Sequence, residues 1–134
     1  MAKSKFPPLL HLSYILQQSA EEMLESQAGV GLSAARIMSA LDKSSAVSQR
    51  VIAMELRQTE ANVSRQLHNM KKNGLVGITR NKKDSRQRDV VLTAKGYKKH
   101  QEAQKVLKKQ QRQFLKILNA GESAALEVAA QKLS

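Results

Sequence analysis

The segment from Arg57 to Val76 constrains this chain more than any other. Thr59 is placed to cap a helix, because its hydroxyl can accept from an orphan backbone N–H. Val63, Leu67 and Met70 follow at helical spacing and form a narrow apolar stripe. Asn62, Arg65, Gln66 and Asn69 point elsewhere. Asn, Gln and Arg are the side chains that read base edges through paired hydrogen bonds. Gly74 then closes the helix, at the left-handed position beyond its C-cap. The pattern is that of a recognition helix followed by its stop signal.

Charge is concentrated on the same segment. Residues 57–100 hold twelve Lys and Arg against Glu60, Asp84 and Asp89, a net +9 out of +12 for the whole chain. Residues 1–32 sum to −1. A basic patch confined to one region is the electrostatic footprint of a polyphosphate partner.

The chain has 134 residues, the size of one domain. It has no cysteine, which excludes a disulfide framework, a Cys-rich zinc site and a thiol switch, and fits a reducing, cytoplasmic setting. His11, His68 and His100 lack metal-ligand spacing, so neither a metal nor a cofactor is expected. No apolar run approaches the roughly 20 residues that span a bilayer. Leu9–Leu12 is too short for a signal-peptide core.

Along the chain, Pro7-Pro8 opens a helix that runs to about Ser26 and breaks at Gly29–Gly31. Ser33 is expected to cap a second helix through Leu41. Asp42–Ser45 is a loop, and Ser48 caps a third helix through Leu56, with Val47 and Ile52 at staple spacing. The recognition segment is the fourth helix. The period then changes to two: Val76, Ile78 and Arg80 form one strand, and Arg88, Val90 and Leu92 another, around the polar loop 81–87. Thr93 caps a long fifth helix to about Leu118, with Leu92 and Tyr97 as its staple. Asn119–Gly121 is expected to turn the chain into a last helix over about Glu122–Leu133. The expected fold is mainly α with a small β-hairpin wing (α+β): a winged helix-turn-helix between long terminal helices.

At this point the chain resembles the MarR family of bacterial and archaeal winged-helix transcription regulators. Val47–Leu56 is similar to the first helix of the family's helix-turn-helix. Thr59–Val76 resembles its recognition helix, including Val63-Ser64-Arg65 and Asn73–Val76. Asp84-Ser85-Arg86 matches the Asp-x-Arg pattern at the wing tip, and Leu92–Gly96 the Leu-Thr-x-x-Gly exit from the wing. The match is strongest over about residues 33–100. Arg57-Gln58 departs from it, standing where small and apolar residues are common. The resemblance implies a cytoplasmic, nucleoid-associated homodimer whose recognition helices enter successive major grooves and whose wings enter the flanking minor grooves. It also implies a small aromatic or phenolic ligand, held between the dimer helices and the DNA-binding lobe.

Candidate residues follow. Thr59, Glu60, Ala61, Asn62, Ser64, Arg65 and His68 form the DNA-facing set on the recognition helix. Asn62 and Arg65 are the base-contact candidates, and Ser64 and His68 lie toward the backbone. Glu60 suits the positive end of the helix dipole. Ser48 and Gln49 sit at a helix N-terminus that attracts phosphate, although Ser48 can equally be only a cap. In the wing, Arg86 is the candidate for minor-groove insertion, and Asp84 is expected to hold an arginine by charge-assisted hydrogen bonds. Lys82, Lys83 and Arg88 add sequence-independent affinity. His11 and Tyr14 are one turn apart; a core or dimer-interface role is the favoured reading for both, and lining a ligand pocket, by family analogy, the alternative. Leu9, Leu12, Leu16, Phe114, Leu118, Leu126 and Leu133 are the candidate dimer interface, as stripes beyond what a small lobe can cover.

Three function classes compete. A dimeric, ligand-responsive repressor acting on double-stranded DNA accounts for every feature above. A nonspecific architectural chromatin protein or RNA binder would use the same charge. RNA readers supply stacking aromatics, and here there are only Phe6, Tyr14, Tyr97 and Phe114. An enzyme is not expected: there is no paired-carboxylate motif, nucleophile–histidine signature or phosphate loop.

Overall fold

The computed structural model describes residues 5–42 and 45–134. Helix α1 (Pro8–Ala28) starts at its proline and ends at Gly29, whose φ of 67° turns the chain. Helix α2 (Leu32–Ala40) does not use Ser33 as its cap. The helix begins one residue earlier, and the Leu32 N–H donates to Glu21 Oε2 at 2.9 Å, so a carboxylate of α1 occupies the capping place. Gly31 leaves the room: a Cβ there would lie 2.9 Å from Glu21 Oε1. One turn beyond Glu21, the Glu25 carboxyl is pushed above its ordinary pKa by its hydrogen bond to Glu21 and by repulsion from it. Within the loop that follows α2, Lys43 and Ser44 lie outside the described residues.

Strand β1 (Val47–Ser48) leads into α3 (Gln49–Leu56), where the Ser48 hydroxyl accepts from Val51 N. Val47 and Ile52 are both buried, as their staple spacing requires. Helix α4 (Glu60–Lys72) is capped by Thr59, which accepts from Asn62 N at 3.1 Å. Both helices end in the same way. Gln58 N donates to Ala53 O and Leu75 N to Met70 O, the long bond of a Schellman motif. Gly74 takes the left-handed position after α4, and Arg57, at φ 53°, takes it after α3. A non-glycine residue there is uncommon.

Strands β2 (Val76–Arg80) and β3 (Arg88–Leu92) pair antiparallel, with Val76 opposite Leu92, Ile78 opposite Val90 and Arg80 opposite Arg88. This register turns the expected apolar set to one side. The sheet has a third strand that the sequence reading left out: β1 pairs with β3, Val47 opposite Val90, giving the order β1-β3-β2. Helix α5 (Ala94–Leu115) is capped by Thr93 and packs along α1, where Gln110 Nε2 donates to Leu16 O at 2.7 Å. His100, buried on α5, lies 3.2 Å from Asp42 Oδ2 at the exit of α2. Helix α6 (Ala120–Leu133) takes in Ala120 and Gly121, which were expected to be turn. Asn119 and Glu122 form a reciprocal capping box, so the helix starts directly after Asn119.

One core joins these elements apart from α6. Leu24 of α1, Ile37 and Met38 of α2, Ile52 of α3, Val63 and Leu67 of α4 and Val90 of β3 meet in it with little or no exposure. The tightest fit lies where α4 leaves for β2. A Cβ at Gly96 would stand 1.9 Å from the Leu75 carbonyl oxygen. Thr93 N donates to that same carbonyl, and the Thr93 hydroxyl donates to Gly74 O while accepting from Gly96 N. Lys95 Nζ donates to Asn73 O at 2.8 Å.

Gly96→Ala is therefore expected to cost about 1–3 kcal/mol, since backbone rather than a flexible side chain must yield. Gly121→Ala meets only Asn119 Oδ1 at 3.5 Å, and is expected to be neutral or stabilising by up to about 1 kcal/mol, as in other helices. Urea unfolding at matched protein concentration checks both. Equal effects at the two sites would show that the α4–α5 junction is not tightly packed.

Candidate nucleic-acid interface

Helix α4 buries Val63, Leu67 and Met70 and leaves the opposite side open. Arg65, His68 and Asn69 are exposed there, with Ala61 beside them, and Asn62, Ser64 and Gln66 are half-buried along the flanks. Glu60 sits in the first turn and Lys71 and Lys72 in the last, in keeping with the helix dipole. Thr59 spends its acceptor on the cap, as Ser48 does on α3. Ser48 is thus a cap, and Gln49 beside it is half-buried at the same helix end. Gln58, which the sequence marks only as a departure from the family resemblance, organises this face. Its side chain accepts from Asn62 Nδ2 at 3.1 Å and from Gln66 Nε2 at 2.9 Å, and Arg65 Nη2 donates to Asn62 Oδ1 at 3.2 Å.

The wing is organised by residues that sequence reasoning passed over. Asn81 Oδ1 accepts from the backbone of Lys83 and Asp84, folding the loop back on itself. Asp89 receives Asn81 Nδ2 at 2.8 Å on one oxygen and Gln87 Nε2 at 2.9 Å on the other. Asp84 does not hold an arginine side chain as expected. Its Oδ1 accepts from the Arg86 backbone N–H at 3.0 Å, because an Asx turn places that N–H nearest. The Arg86 side chain is exposed at the tip, with Lys82 and Lys83 also exposed, while Arg88 is half-buried and donates to Ser85 O. An asparagine opening a polar loop was the available signal for this turn chemistry.

A cavity of about 520 Å³ lies beside α4, between the α1–α2 turn and the start of α5. Val30, Ala34, Met70 and Leu75 give it apolar walls, and Lys95 and Lys99 stand among its lining residues. Gln66, which also lines it, has a buried Oε1 with no hydrogen-bond partner among the described residues. His11 and Tyr14 lie exposed on α1 and line neither this cavity nor the one between α2 and α3. Of the apolar terminal set, Leu9, Leu126 and Leu133 are exposed, and Leu12, Leu16, Phe114 and Leu118 half-buried. Helix α6 buries none of its residues. Among the described residues, no group of three or more His, Asp or Glu is placed to hold a metal ion, and no helix is long and apolar enough to cross a membrane.

Residues 28–87, from the end of α1 through the wing loop, match the model of the MarR family. The match covers the helix-turn-helix and the wing up to Gln87. The PcaV transcriptional regulator of Streptomyces coelicolor, solved with its natural ligand, is 20% identical, with a TM-score of 0.79 over 99% of this chain and 96% of that one. S. aureus MepR, solved bound to DNA, is 19% identical with a TM-score of 0.82, over 98% and 97% of the two chains. Wild-type MarR from E. coli, in its apo form, is 18% identical with a TM-score of 0.83, over 98% of each. At these identities the three establish the fold. No curated protein matches the sequence.

The wing gives a prediction whose sign separates two explanations. If charge alone matters, Asp89→Ala should tighten binding to DNA, because it removes an acid from a basic segment. If the wing must be preformed, the loss of two charge-assisted hydrogen bonds should weaken it. We expect weakening by roughly 5- to 30-fold, about 1–2 kcal/mol. Fluorescence anisotropy on a labelled duplex at fixed salt decides between them.

Proposed function

We propose that the protein is a homodimeric, sequence-specific regulator of transcription that binds double-stranded DNA and acts as a ligand-responsive repressor. The observation that carries this is the convergence on one lobe of three features. An outward helix face bears Arg65 and its amide neighbours, a preorganised wing ends in Arg86, and most of the net positive charge lies on the segment between residues 57 and 100. The match of residues 28–87 to the MarR-family model and the likeness to MepR, solved with DNA, support the same reading. Recognition helix α4 would enter the major groove. Arg86 would enter the minor groove, where narrow A·T-rich tracts concentrate negative potential. Lys82 and Lys83 would neutralise phosphate.

Dimerisation would use the terminal helices. Leu9, Leu126 and Leu133 are exposed and Leu12, Leu16, Phe114 and Leu118 half-buried, and a second copy would cover this apolar area. A twofold dimer presents two α4 helices, so its site should be a pseudopalindrome with half-sites centred about one turn, roughly 10 bp, apart. Light scattering is expected to give a dimer mass at micromolar concentration, and a footprint upstream of the protein's own gene to be symmetric. A monomer, or a single asymmetric half-site, would overturn this docking scheme.

The effector would be a small aromatic acid or phenol, for which the cavity beside α4 offers apolar walls and two lysines. PcaV, solved with its natural ligand, has the same fold. Ala34→Phe is expected to fill the cavity and abolish release of DNA by a panel of substituted benzoates while leaving DNA affinity within about threefold. Unchanged release by the variant would move the effector site elsewhere.

A further inference from the structure

The side chains at the head of α4 form a chain of hydrogen bonds whose polarity is set from one end. Arginine donates and cannot accept. The Asn62 atom 3.2 Å from Arg65 Nη2 is therefore its oxygen. Its nitrogen faces Gln58, which must present an oxygen, and does so at 3.1 Å. The same Gln58 oxygen accepts from Gln66 Nε2, one helical turn further on. Gln58 is in position for this because Arg57, in the left-handed conformation, turns the chain between the two helices.

The oxygen of Asn62 is thus engaged by Arg65 and one of its two N–H donors by Gln58, so partners at both ends fix the plane of the amide within the protein. Paired recognition of adenine needs an asparagine that offers its oxygen and its nitrogen together to the base edge. Arg65 is in the opposite situation. It is exposed on the outer face and has given one of its five N–H donors to Asn62. A guanidinium held from behind loses less rotamer freedom when it docks.

We propose, resting on the DNA-binding function above, that Gln58 and Asn62 are positioning residues for specificity. They hold Arg65 for paired donation to a guanine, and Asn62 itself does not read adenine. Gln58 lies in the Arg57-Gln58 pair that departs from the family resemblance, so this relay is a property of this chain.

The test is selection of binding sites from a randomised duplex library with the full-length protein and five variants, each checked by thermal melting. Arg65→Ala is expected to abolish one guanine preference at a symmetric pair of positions. Asn62→Ala and Gln58→Leu should weaken the preference at those same positions by roughly 3- to 10-fold, as coupled neighbours do. Asn62→Asp still accepts from Arg65, and Gln58→Glu still accepts from Asn62 and Gln66. Both should keep the guanine preference while lowering affinity for all sequences alike, because each adds a negative charge. The proposal is overturned if Asn62→Ala erases an adenine preference at a different position while Gln58→Leu changes nothing. It is also overturned if Asn62→Ala, or a stably folded Gln58→Leu, lowers affinity uniformly with every preference intact. Should Gln58→Leu melt early, Asn62→Ala alone decides. A wild-type protein that selects no sequence would overturn the DNA-recognition function itself, and the relay with it.

Discussion

The close approach of Gly96 to the Leu75 carbonyl is the constraint on which the arrangement of this molecule depends. It lets the first turn of α5 sit directly on the backbone where α4 gives way to β2. The neighbouring hydrogen bonds then become possible: Thr93 N to Leu75 O, the Thr93 hydroxyl to Gly74 O, and Lys95 to Asn73 O. Three carbonyls at the C-terminal end of α4 are satisfied by α5 rather than by water. The sequence Leu92–Gly96 thus has a mechanical meaning beyond its family resemblance, since it fastens the outward-facing helix to the long helix that packs on α1.

That fastening ties the orientation of α4 to that of α5. Helix α4 rests on the core through Val63, Leu67 and Met70, and its end is tied to α5, so it cannot rotate without disturbing Thr93 and Gly96. The cavity beside it is lined from the α1–α2 turn, from α4 and from α5. On the proposed function, an effector there would press on the junction that orients α4. Gln66, which lines the cavity, also donates to Gln58, so the cavity and the polar face of α4 share a residue.

Much of this was legible in the sequence, and the boundary follows the range of each interaction. Thr59, Ser48 and Thr93 were readable as caps because each bonds a backbone N–H three residues on. The strand limits were readable because the side-chain period changes from about 3.6 to 2 where the wing begins. Long-range partners were not readable. The cap of α2 comes from Glu21, eleven residues back and on another helix, so Ser33 took its place in the reading. Strand β1 is two residues long and exists only because β3 passes beside it. At Asn119 the error was one of weighting: glycine at 121 read as a turn, while the Asn119–Glu122 capping box carried the true start. The residue types of the α4 face were visible, but the direction of their hydrogen bonds was not. Nothing in the sequence shows that Gln58 faces Asn62.

The same distinction bears on how the polar face should be interpreted. Composition alone makes Asn62 and Arg65 equal candidates for reading bases, because both residue types pair with base edges. Geometry separates them, because the Asn62 amide is held in its plane by partners at both ends, whereas the exposed Arg65 guanidinium is bound at one corner and keeps four of its five donors. A parallel logic holds in the wing. Asp89 lowers the positive charge of the segment, yet it anchors Asn81 and Gln87 and so shapes the loop that carries Arg86. In both places the side chains that organise the surface are distinct from those available to a partner. Net charge can attract a polyanion to this lobe, but the amide and carboxylate hydrogen bonds behind the arginines determine where those charges are presented.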